Sequence, residues 1–153
     1  MTLQRFACIA ALAFSTLAAQ PSFAADSETT PVVNKKSDDY AAGKAAVEKK
    51  DWKSAAGHFQ AAVKANPKSA DAHNMLGYSQ RWLGNMDASF ASYAEALRLD
   101  PKHKGAHEYV GVAYLKVKNL PKAQEHLTAL EGICGKKCEE YEDLSKAIAA
   151  YKP

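Results

Sequence analysis

Glycines at 43, 77 and 111 stand 34 residues apart, and five other columns of the sequence keep the same interval. Ala42, Leu76 and Val110 share it, as do Asp51, Asn85 and Asn119, then Ala55, Ser89 and Ala123, then Phe59, Tyr93 and Leu127. Pro67 and Pro101 make the sixth column, with Gly135 where a third proline would fall. A period of this length means one supersecondary unit repeated, each copy unable to bury its apolar face except against its neighbour. The unit is plainest over residues 70–101. A first helix carries Met75, Leu76 and Gly77, the chain breaks at Gly84-Asn85, and a second helix carries Phe90, Tyr93, Ala94 and Leu97. Pro101 ends it, because proline has no amide hydrogen and disfavours helix in the residue before it.

The other copies predict helices near 37–49 and 53–65, and near 104–116 and 121–130. Pro121 suits a first turn, where its missing N–H is no loss. A glycine inside a helix costs about 1 kcal/mol relative to alanine. A column of three therefore implies that a neighbouring helix comes too close for a Cβ, with Ala55, Ser89 and Ala123 as the matching small surface. Trp52, Met86 and Leu120 are apolar in register at the turns, which predicts that each turn is pinned to the next unit.

The order Leu76-Gly77, Ser89, Tyr93, Ala96 and Pro101 resembles the tetratricopeptide repeat. His73 replaces that pattern's leading tryptophan and Gln80 its tyrosine, while Ser89 and Tyr93 are conservative replacements for alanine and phenylalanine. The resemblance spans about residues 36–135. It implies an all-α, right-handed α-solenoid of three helix–turn–helix repeats, at about 36–69, 70–103 and 104–135. A capping helix is expected within 136–153, where Tyr141, Leu144, Ile148 and Tyr151 recur on one helical face and Glu139 and Glu140 complement the helix dipole.

The chain opens as an export signal. Arg5 supplies a positive start, residues 6–19 an apolar run too short to span a bilayer, and Ser22-Phe23-Ala24 a small-x-small cleavage site. The expected processing is a signal peptide at 1–24, then a polar leader at 25–36 without helical periodicity. The protein is thus read as exported, periplasmic, and not stably inserted in the membrane. A net charge of +3, spread among acidic residues and lacking an aromatic–basic motif, argues against nucleic acid as a partner.

Few residues suggest chemistry. Cys134 and Cys138 remain after cleavage, and an even number in an exported chain favours a structural disulfide that fixes the capping helix. A redox pair and a copper or zinc site are the alternatives. The C-x-x-x-C spacing and the lack of a βαβ pattern weigh against the first. His103 and His107 are four apart, with His73 in register with His107, yet no Cys/His ligand set of zinc spacing accompanies them. No G-x-S-x-G elbow or glycine-rich phosphate loop appears. The sequence is read as non-enzymatic, with no catalytic residue, metal or cofactor.

The remaining candidate is the groove. The resemblance implies a concave surface lined by the first helices, where a partner peptide or helix binds. On those helices, away from the glycines, lie Tyr40, Asn74 and Glu108, then Lys44, Tyr78 and Val112, then Val47, Arg81 and Leu115, flanked by Glu48, Trp82 and Lys116. Tyrosine, tryptophan and arginine are the residues that most often dominate such contacts. The lysine–asparagine clamp by which some chaperone-binding members hold a terminal carboxylate is not reproduced, since Tyr40, Met75, Gly105 and Tyr109 stand in its place. The function expected is a periplasmic scaffold binding a protein or peptide in the groove. A thiol-redox or metal-delivery protein using Cys134 and Cys138, or a structural subunit of an envelope complex, are the rivals; the oligomeric state stays open.

Overall fold

The computed structural model describes residues 35–152 as seven helices. They are α1 (Lys35–Glu48), α2 (Trp52–Ala65), α3 (Ala70–Trp82), α4 (Met86–Leu99), α5 (Lys104–Lys116), α6 (Leu120–Cys134) and α7 (Glu139–Ala150). No strand occurs among the described residues. The signal peptide at 1–24 and all but the last two residues of the leader at 25–36 lie outside them. The helices pair as α1 with α2, α3 with α4 and α5 with α6, and α7 packs on both α5 and α6. This is an all-α solenoid of three hairpins and a final helix. Helix α1 starts at Lys35, inside the expected leader, and α6 runs on to Cys134, one turn beyond the expected end.

Each hairpin turns through one left-handed residue, and these too are 34 apart: Lys50 at φ 56°, Gly84 at φ 82° and Lys118 at φ 59°. The N–H after each reaches back to close the helix end, Asp51 to the carbonyl of Ala46 and Asn85 to that of Gln80, each at 2.9 Å. Asn119 does the same to Tyr114, also at 2.9 Å. These bonds satisfy carbonyls that a helix end leaves without partners. Asp51 and Asn119 then cap the following helices by accepting from Ser54 and Lys122 N–H groups. Asn85 makes no such side-chain bond.

The glycine column shows why it lacks side chains. A Cβ on Gly43 would lie 2.7 Å from the Phe59 ring, and one on Gly77 2.8 Å from the Tyr93 ring. In both cases the aromatic ring belongs to the second helix of the same hairpin. Gly111 is equally crowded, but by Leu144 of α7 at 2.6 Å and not by Leu127, which fills the aromatic column in the third repeat. A leucine is shorter than an aromatic ring, and α7 supplies the missing volume from the other side. Leu144 also falls 34 residues after Val110 and 68 after Leu76. The capping helix therefore continues the period, standing where the first helix of a fourth repeat would stand.

The small column does as expected: Ala55, Ser89 and Ala123 are fully buried, and the Ser89 hydroxyl donates to the carbonyl of Gly77 at 2.7 Å. Trp52 leaves its own turn to stack on Trp82 of α3, with ring centroids 5.0 Å apart. The junctions between hairpins are unequal. Helix α2 lies closely along α3, whereas α4 meets α5 over far fewer residues.

Candidate functional site

Helices α1, α3 and α5 present the sequence-predicted set on one side, and α7 adds Glu142 and Lys146 at the registered positions. The structure divides that set by depth. Lys44 is exposed; Tyr40, Tyr78, Glu108 and Val112 are half-buried; Asn74, Arg81 and Leu115 are buried. Tyr40 sets its ring edge-on to Phe59 at 5.6 Å, so half of it serves the core. Leu115 is a packing residue, and Asn74 and Arg81 form the floor below the exposed groups.

The centre of this face is a cluster of four rings. Tyr78 lies 4.8 Å from Tyr109, 5.9 Å from Trp52 and 6.3 Å from Trp82, measured between centroids. The Arg81 guanidinium sits 5.1 Å from the Tyr78 centroid and 5.3 Å from that of Trp82. Lys116 places its ammonium 5.0 Å from the same tryptophan. Cations held against ring faces at such distances contribute about 0.5–2 kcal/mol each. Trp82 remains 44 % exposed beside Leu83 and Val117, themselves 41 % and 44 % exposed. A rigid aromatic with an apolar rim is what binding anchors are made of. Three buried polar atoms here or beneath it have no partner in the protein: Oδ1 of Asn74, Nε of Arg81 and the Tyr93 hydroxyl.

Electrostatics change along the face. Burial, and then Asp143, Glu140 and Glu139 of α7, push Glu108 up to about 7, against the pull of Arg81. Burial also raises Tyr109 to about 12, reinforced by Glu108. The α1–α3 part thus carries Lys44 and Arg81, and the α5–α7 part is acidic. Sequence reasoning met Tyr109 only as a departure from the carboxylate clamp, and missed the α7 carboxylates as members of this surface. The signal was available in the period, because α7 falls in register with α1, α3 and α5.

Cys134 and Cys138 come within disulfide distance of each other at the corner between α6 and α7. Among the described residues, Glu140 is the one acidic or histidine side chain that joins them within 4.8 Å. His73, His103 and His107 each bond to a different partner. His103 caps α5 by accepting from the Ala106 N–H at 3.1 Å and donates to Asp71 at 3.0 Å. His107 instead pairs with His126 of α6 and donates to the Pro101 carbonyl. His73 makes the equivalent bond to Pro67 one repeat earlier. These are structural histidines tying helix starts to the preceding loops. Among the described residues no helix is long and apolar enough to cross a membrane.

Residues 40–104 match the tetratricopeptide repeat family. No curated protein sequence is significantly similar to the chain. Among solved structures, the fold is similar to the tetratricopeptide domain of Arabidopsis OM64, at TM-score 0.69 and 16 % identity, over 78 % of this chain and 98 % of that one. It is similar to the TPR2B domain of yeast Sti1 in a complex with an Hsp70 peptide, at 0.68 and 20 %, covering 78 % and 99 %. It also resembles the Yersinia enterocolitica type III secretion chaperone SycD in complex with a peptide of the translocator YopD, at 0.67 and 18 %, covering 77 % and 89 %.

Proposed function

From a chain built of tetratricopeptide repeats, we propose a non-catalytic, exported, periplasmic scaffold that holds a partner peptide or helix on its first-helix face. Solved relatives of the same fold are seen with peptides, an Hsp70 peptide on Sti1 and a YopD peptide on SycD. The observation in this chain that carries the reading is the ring cluster of Trp52, Tyr78, Trp82 and Tyr109, braced by Arg81 and Lys116 yet leaving Trp82 exposed. Lys44 and Tyr78 contact the partner directly, and Asn74 and Arg81 offer unpartnered polar atoms from the floor. Glu108 and Val112 extend the contact toward α7. In this reading Cys134 and Cys138 form a structural disulfide after export, holding α7 at the angle that completes the face.

The test is site-specific photocrosslinking in intact cells, from Lys44 and Trp82 on this face and from Gln60 and Gln124 on exposed second-helix positions. The same protein trapped from Lys44 and Trp82, and absent from Gln60 and Gln124, supports the scaffold. Trapping from the second helices alone contradicts it.

A further inference from the structure

Three residues that differ sharply in size from their partners one repeat earlier lie together on the opposite side of α5. Phe90, Tyr114 and His126 occupy the columns held by Ala56, Gln80 and Ser92. Within the second hairpin, Ser92 of α4 donates to Gln80 of α3 at 2.8 Å. Where α4 meets α5, Phe90 and Tyr114 lie 4.7 Å apart, and Tyr114 stacks on His126 of α6 at 5.7 Å with planes 18° apart. The three rings form a wall across α4, α5 and α6. Bulk at these columns stops α4 from settling onto α5, and a cavity of about 420 Å³ opens, lined also by Ala94, Leu97 and Val110. That volume is within the range of small-molecule sites, which are mostly apolar with few polar groups.

The polar group is His126, and its hydrogen bonds fix what it offers. His107 donates from Nε2 to the Pro101 carbonyl at 3.1 Å, so in the neutral ring its Nδ1 accepts. The donor to that nitrogen, 2.9 Å away, is Nδ1 of His126. Burial, and then His107, push His126 down to about 4, so it is uncharged at neutral pH and its Nε2 carries a bare lone pair. This nitrogen is the one hydrogen-bonding atom of the ring left free.

We propose that this cavity binds a small aromatic molecule bearing one hydroxyl or N–H, its ring against Phe90 and Tyr114 and its donor on Nε2 of His126. An aromatic body suits the ring wall, since offset rings attract beyond their area. The required donor follows from the one free acceptor. Val110 and Tyr114 are each two residues from Val112, about 200° round the helix, so the site is separate from the partner face.

Phenol and anisole are the probes, because they share the ring and differ in the donor. Each is titrated at pH 8 into the isotope-labelled protein, with amide shifts as the readout. Phenol should shift amides around Ala94, Leu97, Val110 and His126, and bind about fivefold more tightly than anisole, as one neutral hydrogen bond allows. His126→Phe should erase that preference. Ala94→Trp, at an exposed position, should fill the space and abolish both signals with helix content unchanged. Equal binding of the two probes, shifts elsewhere, or a preference that survives His126→Phe would overturn the proposal.

Discussion

Between the first and second repeats, α2 lies closely along α3, and Trp52 of α2 stacks on Trp82 of α3. Between the second and third, α4 touches α5 over a shorter stretch, three rings stand where smaller groups stood, and a cavity remains. Both junctions follow the same 34-residue register, the same left-handed turn residues and the same crowded glycines. Backbone course is therefore set by a few glycine, turn and cap positions, and side-chain size at three other columns decides whether neighbouring repeats close. In a solenoid, stability is a sum of repeat and interface contributions, so an open junction is a local property.

The largest test of that difference is truncation of the aromatic column. Phe59→Ala removes a fully buried ring and should cost about 3–5 kcal/mol in urea unfolding. Leu127→Ala, at the half-buried registered position, should cost about 1 kcal/mol. Equal losses would mean the third repeat packs like the first.

The glycine column separates the repeats next. Gly77→Ala drives a methyl into the buried Tyr93 ring and close to the Ser89 carbonyl, and should destabilise by about 1–3 kcal/mol. Gly111→Ala meets only the side chain of Leu144, itself fully buried, and no backbone atom, so thermal unfolding should show a somewhat smaller loss.

Two half-buried groups near the second junction give opposite pH slopes. His126 titrates near 4 when folded and near its ordinary 6.5 when unfolded, so the unfolded chain binds more protons between those values. Stability then falls as pH drops from 6.5 toward 4, by about 1 kcal/mol after solvent screening, and His126→Phe should remove that slope. Glu108 has the reverse sign, its folded value near 7 lying above the ordinary 4.5. Its contribution is lost as pH rises from 4.5 to 7, and Glu108→Gln should flatten that part of the profile.

The smallest effects lie in the turns, where the junctions should behave alike. Lys50→Gly and Lys118→Gly relieve a left-handed lysine and should each gain up to about 1 kcal/mol, and Gly84→Ala should lose a similar amount. Melting temperatures of the three variants check this.

The fold was legible in the sequence because its determinants are local and periodic: a crowded glycine, a turn residue and a proline, each at a fixed interval. The face was legible in outline, since Tyr78 and Trp82 stand on it as the helical spacing requires. Depth was not legible. Arg81 and Asn74 carry polar groups yet are buried, and Asn74 is approached by Gly105 of the next repeat, a contact that arises only when repeats stack. The role of α7 was readable as a cap. Its place as a fourth first helix lay in one column, Leu144 after Val110, which the change of composition around the cysteines obscures. His126 escaped notice because its partners, His107 and Tyr114, come from another helix.

Native-state hydrogen exchange tests the central claim, that the second junction is the weaker seam of the solenoid. Opening free energies of amides in α5, α6 and α7 should cluster at one value, clearly below that shared by α3 and α4. A single opening free energy from α1 to α7 would contradict it, showing that the repeats on either side of the cavity unfold as one body.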